Sequence, residues 1–178
     1  MLDKDYYSIE NQIKRIEENK RIDSEKKKFK EMLKNLDFKL IPQWHLYKSD
    51  IDFEYLKSDC HISLCKGEAY SLYWVKRLEL FRILDPSYSR VFVKEKIWKS
   101  HDEIKITRVL SNWESNRKLI PPVLIPDLTK KVFLIQDGKH RFAVSNFFEV
   151  EEIPIIVLNL DEEIFLKLVN KKYIKKIE

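Results

Sequence analysis

The sequence predicts an α+β (mixed α/β) protein: a small sheet packed with helices, preceded by an N-terminal helical arm. Three observations lead there. The first 36 residues contain neither Gly nor Pro and place Ile9, Ile13 and Ile16 at helical spacing. Three apolar runs, "PVLIP", "VFLIQ" and "IPIIVLNL", have the length and composition of strands. Segments with a helical period stand between and after those runs. Of the 178 residues, 44% are hydrophobic and 35% charged, which is enough apolar surface for a core under a highly charged exterior. Residues 1–36 therefore read as the arm and 37–178 as the domain.

Taken in order, the arm continues through Ile22, Phe29, Leu33 and Leu36, slightly out of phase with the first three isoleucines. Asp23-Ser24 is a candidate break. The arm reads either as a helix packed on its own domain or as an arm that dimerises or contacts nucleic acid. "FKLIPQWHLY" reads as extended, "IDFEYLKSD" as a short helix and "CHISLC" as a short strand. "GEAYSLYWVKRLELFRIL" is expected to be one helix, since Tyr70, Trp74 or Val75, Leu78 and Phe81 recur at helical spacing. Asp85-Pro86 begins a turn, and "RVFVKEKIW" fits strand and helix alike. Ser100 with Glu103 forms a capping-box pattern for "HDEIKITRVLSNWESNRKL", whose buried stripe is Ile106, Val109, Leu110 and Trp113. Pro121-Pro122 stops that helix. "PVLIP" and "VFLIQ" form a hairpin through "DLTKK". "HRFAVSNFF" is a helix, "IPIIVLNL" a strand buried on both faces, and "DEEIFLKLV" a closing helix with acids in its first turn. "NKKYIKKIE" reads as a solvated basic tail, with contact to DNA phosphates as the alternative.

Several classes are excluded or set aside. The first fifteen residues lack the basic start and apolar run of a signal peptide. No apolar stretch approaches the roughly 20 residues that span a bilayer. A soluble, cytoplasmic protein without membrane partners is expected. The net charge of +5 allows nucleotides, nucleic acid or acidic partners without requiring them. Cys60 and Cys65 suit a reducing compartment. With His61 and His45 they make only a marginal zinc pattern, because no second paired motif exists, and core thiols are the simpler reading. No metal ligands are assigned.

The segment with the most chemistry is "QDGKHRF". The chain has only two glycines, Gly67 and Gly138, and Gly138 lies here between a predicted strand and a predicted helix. A helix that starts directly after a strand leaves its first N–H groups unpaired at its positive end. Such an end can hold an anion, and a glycine lets the backbone approach it. Lys139, His140 and Arg141 add donors, and an arginine can grip two phosphate oxygens. Asp137 is placed to orient His140, to accept from a substrate hydroxyl, or to help hold a Mg²⁺ ion. Two other readings stand beside the phosphate loop: a type I′ Asp-Gly hairpin turn and a merely structural strand–helix turn. The helical spacing of "SNFFEVEEIP" speaks against the hairpin.

With the preceding hairpin and the following Ile-Pro strand, "PPVLIPDLTKKVFLIQDGKHRFAVSNFFEVEEIPIIV" resembles the core of the ParB/sulfiredoxin-like superfamily, over about residues 117–160. Its "DGKHR" is closest to members with an Asp-Gly-His-His-Arg motif, such as the free-serine kinases of that fold. The resemblance implies that Gly138, His140 and Arg141, together with Lys139, hold the phosphates of a nucleoside triphosphate (ATP or CTP) with Mg²⁺. It further implies that Asp137 lies near the reacting group and acts with His140. Asn116-Arg117 closes the preceding helix and reads either as a C-terminal cap or as a polar pair, led by Arg117, facing the nucleotide. Two departures are plain. No helix-turn-helix pattern follows the core, and Lys139 stands where sulfiredoxins carry a cysteine. The acid that kinase members use as base is not identified; Glu54, Glu68 and Glu114 are the candidates. Three functions follow: an NTP hydrolase or small-molecule kinase, a DNA-associated or partition-type switch driven by nucleotide, and a non-catalytic interaction protein. A homodimer formed through the arm is the expected self-association.

Overall fold

A computed structural model of the protein describes residues 9–35, 38–51, 70–86, 93 and 97–177. The Gly- and Pro-free stretch forms one helix, α1 (Ile9–Met32). The break expected at Asp23-Ser24 does not occur. Asp23 instead accepts an i,i+3 ion pair from Lys26 at 2.9 Å, and the Lys and Glu residues around it favour helix. The two apolar stripes of α1 differ more than the sequence suggested. Ile22 and Phe29 are buried, whereas Ile9, Ile13 and Ile16 are exposed. At about 100° per residue, the nine steps from Ile13 to Ile22 amount to about two and a half turns, which places the two on opposite sides of the helix. Half of the arm therefore packs on the domain and the other half presents its isoleucines away from it.

Among the described residues the domain holds five strands in the order β3-β2-β4-β1-β5. They are β1 (Tyr70–Lys76), β2 (Val123–Asp127), β3 (Val132–Asp137), β4 (Glu152–Leu158) and β5 (Ile174–Ile177). β2 runs parallel to β4, and the other pairs are antiparallel. The remaining helices are α2 (Arg77–Ile83), α3 (Ile97–Ser100), α4 (Glu103–Glu114), α5 (Lys139–Phe147) and α6 (Glu162–Leu168). The α+β expectation is met. So are the hairpin of β2 and β3, helix α5 after "QDG", and a β4 whose residues after Glu152 are all buried.

Two elements differ from the sequence reading. The helix expected over 67–84 is a strand followed by a helix, because β1 pairs along its whole length with β4, from Tyr70 opposite Leu158 to Lys76 opposite Glu152. An apolar run buried on both faces has no period of its own, so helical spacing there was coincidental. The basic tail is also ordered. It forms β5 on the outer side of β1, and Lys176 Nζ donates to Glu162 at 2.6 Å. Lys176, and then the Tyr73 hydroxyl, hold the Glu162 carboxyl down at about 2. The short helix and strand expected around residues 51–65 lie outside the described residues, as does most of "RVFVKEKIW".

The main core joins one face of the sheet to the helices. Phe133, Ile135, Ile155 and Val157 meet Ile106, Leu110 and Trp113 of α4, Phe142 and Val144 of α5, and Phe29 of α1. A smaller cluster, including Tyr70, Leu72, Val123 and Ile156, lies on the other face. Trp113 is packed edge-on against Trp44, and its Nε1–H donates to the Gln43 carbonyl at 2.9 Å. Trp44 and Leu119 thereby form a parallel bridge that brings the extended segment against the end of α4.

The start of α4 corrects the expected capping box. Asp102, not Ser100, is the N-cap, and its carboxylate accepts from the amides of Ile104 at 2.9 Å and Lys105 at 3.1 Å. Ser100 ends the separate helix α3. Asp102→Ala should lower stability by about 1 kcal/mol, whereas Ser100→Ala should change it by less than about 0.5 kcal/mol. Urea denaturation of the two variants measures the difference, and equal losses would contradict the assignment.

Candidate functional site

The "QDGKHRF" segment lies at the end of edge strand β3. Gly138 adopts φ 85° and ψ 15°, a left-handed conformation, and is the N-cap of α5. A Cβ at this position would lie 2.8 Å from Pro122 Cα. Glycine is thus required by the turn and by the close passage of Pro122, before any ligand is considered. The type I′ hairpin is excluded, because α5 begins at Lys139.

Gly138 has no side chain with which to cap the start of α5. Residues 138–141 at that start line a cleft of about 570 Å³ formed between α4, the end of β3 and α5. From the loop come Asp137, Lys139, His140 and Arg141; from α4 come Lys105, Arg108 and Asn112. Four permanent cations therefore face one carboxylate in the lining, and the helix dipole adds to the positive side. A second cleft, about 460 Å³, lies by Leu78 and Tyr173 and contains none of the candidate site residues read from the sequence. Its lining sets two cations, Lys76 and Arg77, against three carboxylates, Glu79, Glu149 and Glu151. Charge thus favours the cleft at α5 as an anion site.

Within that cleft each loop residue has a definite setting. Arg141 is ion-paired with Asp137 across the strand–helix junction. Its Nε is buried and has no hydrogen-bond partner among the described residues. An orphaned guanidinium N–H is costly, and an entering oxygen acceptor would relieve it. His140 contacts His101 edge-on, with ring centroids 5.6 Å apart. Burial, and then the nearby His101 and Lys105, push the His140 imidazole down to about 4. At neutral pH it is a neutral donor and acceptor, not the cation that the sequence pattern suggests. Lys139 is exposed at the cleft mouth.

Other residues expected at the site lie apart from it. Arg117 is exposed beyond the end of α4 and outside the cleft lining. Its amide donates to the Asn112 carbonyl at 2.8 Å, and Asn116 takes φ 56° beside it. That geometry terminates the helix, as the capping alternative expected. Glu114 holds Lys28 of α1 at 2.5 Å and does not line the cleft. Glu54, Glu68, Cys60, His61 and Cys65 fall outside the described residues. His45 is half-buried, its Nδ1 3.8 Å from Asp50.

Lys105, Arg108 and Asn112 were not anticipated from the sequence. They lie at i, i+3 and i+7 on α4, off the apolar stripe, where an amphipathic helix ordinarily meets only solvent. The same spacing is the one signal that marks them as a single face.

The residues present suit an anion such as a phosphate group: four cations line the cleft, and one has a buried N–H without a partner among the described residues. They do not form a cage for Mg²⁺. Asp137 is engaged by Arg141, and no group of three or more His, Cys, Asp or Glu side chains converges among the described residues. In comparisons with known proteins, no family model, no curated protein and no solved structure matches the chain. No helix among the described residues is long and apolar enough to cross a membrane.

Two outcomes follow from this geometry. Gly138→Ala should cost about 1–3 kcal/mol in urea denaturation, since it combines positive φ with a collision against backbone. His140 should titrate well below the ordinary 6.5 when followed by NMR. An unfolded chain takes up that proton first, so the contribution of His140 to stability is complete above about pH 6.5. It is lost as pH falls toward 4. His140→Gln should therefore lose less stability than the wild type between pH 7 and 4.5.

Proposed function

We propose that the protein binds a nucleoside triphosphate, with its phosphates in the cleft between α4 and α5. The observation that carries this reading is the start of α5 lining a cleft with four cations, one of which has a buried N–H without a partner among the described residues. The resemblance of "DGKHR" to the ParB/sulfiredoxin-like superfamily supports a nucleotide over other anions. The first amides of α5 would donate to one phosphate group, with Arg141 adding charge-assisted bonds beside them. Asp137 orients the Arg141 guanidinium, which makes it a positioning residue rather than a base. His140, neutral at physiological pH, can give or take one hydrogen bond at a phosphate oxygen or an acceptor hydroxyl. A Mg²⁺ ion would enter with the phosphates, as that ion commonly does, rather than through a protein cage.

Hydrolysis or transfer to a small acceptor needs a group that takes a proton from water or a hydroxyl. Among the lining residues His140 has the chemistry for this, and its low proton affinity makes it a weak base. Nucleotide binding is accordingly the core of the proposal, with phosphoryl transfer as its extension.

Calorimetric titration with ATP, CTP and GTP, each with Mg²⁺, tests the reading. At least one should bind to the wild-type protein. Arg141→Ala should weaken that binding at least tenfold, or about 1.4 kcal/mol. Arg141→Lys, which can keep a charge near Asp137, should fall between the two, because a lysine cannot grip two oxygens. Failure of all three nucleotides to bind the wild-type protein would overturn the proposal.

A further inference from the structure

Arg108 belongs to two structures at once. It lines the cleft from α4, one turn from Lys105. Its guanidinium also donates to Glu18 of α1 at 3.1 Å. Glu18 lies in the part of α1 that precedes Ile22, the first buried residue, where nearly every side chain is exposed. Further along, Lys28 and Lys30 pair with Glu114 and Glu103, and Phe29 is buried in the core. The second half of α1 is thus firmly seated, whereas the first half meets the domain through the Glu18–Arg108 pair.

We propose that Arg108 is a ligand-binding residue of the cleft, and that Glu18 is the resident counter-ion a phosphate chain displaces from it. The inference rests on the nucleotide-phosphate reading and adds a specific residue and a regulating segment to it. A carboxylate and a phosphate present the same kind of acceptor to a guanidinium and compete for the same N–H donors. The ligand favoured is one with more than one phosphate group, since one group is served by α5 and Arg141 and a further group meets Lys105 and Arg108. Glu18 and Arg108 are each about half exposed, with side chains 48% and 57% accessible, so the pair is weak and salt-sensitive. The arm therefore tunes affinity and does not block the site. Coupling is reciprocal, so an occupied cleft loosens the first half of α1.

The test is a double-mutant cycle on nucleotide affinity at low ionic strength, using whichever of ATP, CTP or GTP binds the wild-type protein. Glu18→Gln should tighten binding about two- to fivefold. Arg108→Gln should weaken it about tenfold. The double variant should match Arg108→Gln, because Glu18 then has nothing to compete for. Both positions are on the surface, and thermal melts of each variant verify that the fold is retained. If the wild-type protein binds and Arg141→Ala weakens binding, while Glu18→Gln and Arg108→Gln leave it unchanged, this proposal falls and the phosphate reading stands. If the wild-type protein binds no nucleotide, both fall together.

Discussion

Strand β4 is buried on both faces, so its amides and carbonyls must find partners along both edges. β1 supplies seven residues of antiparallel pairing on one side. On the other side β2 pairs in parallel at Val123 and Leu124, and the Ile156 amide donates to the Pro122 carbonyl at 2.8 Å. The requirement to satisfy β4 thus fixes where Pro122 lies. Pro122 in turn fixes the chain at Gly138, whose missing side chain leaves room for it. The helix that starts at Lys139 is aimed by this contact. The cleft and its charges are a consequence of pairing in the middle of the sheet.

The site gains its character from a meeting of two elements. α5 contributes its positive end and an arginine braced by Asp137. α4 contributes two cations from a face that would otherwise be solvated. Neither alone is distinctive, since helix ends and surface lysines are common. Together they concentrate positive charge in one concave space, where the fields of the separate cations add. Burial first, and then the neighbouring His101 and Lys105, keep His140 neutral, because one more positive charge there is disfavoured.

Much of the domain was legible in the sequence where a segment carries one signal. The β2–β3 hairpin, α5 and β4 follow from apolar runs bounded by turn residues, and the buried stripe of α4 follows from its period. Reading failed where two signals overlapped. "YSLYWVK" offers helical spacing and strand composition together, and pairing with β4 and β5 decided for the strand. "NKKYIKKIE" has the charge of a tail, yet its Ile-Lys-Lys-Ile segment forms an edge strand whose two lysines stay exposed between half-buried isoleucines. Asp102 was passed over as a cap because Ser100 with Glu103 matches the familiar pattern, whereas Ser100 itself is the last residue of a separate short helix.

By itself, the sequence determined the α+β class, the long N-terminal helix, and a loop in which a glycine and three basic or ionisable side chains open a helix after a strand. These are local matters, set by period, turn chemistry and propensity over a few residues. Only the tertiary structure decided which distant residues share the loop's space. It brought Lys105 and Arg108 to the cleft and left Arg117 outside it. It turned Ile9, Ile13 and Ile16 away from the domain while seating Phe29 within it. It also assigned Gly138 a steric reason, Pro122, that precedes any ligand. The physical reason is that charge, burial and close approach depend on what lies across a gap, and a sequence records only what lies along the chain.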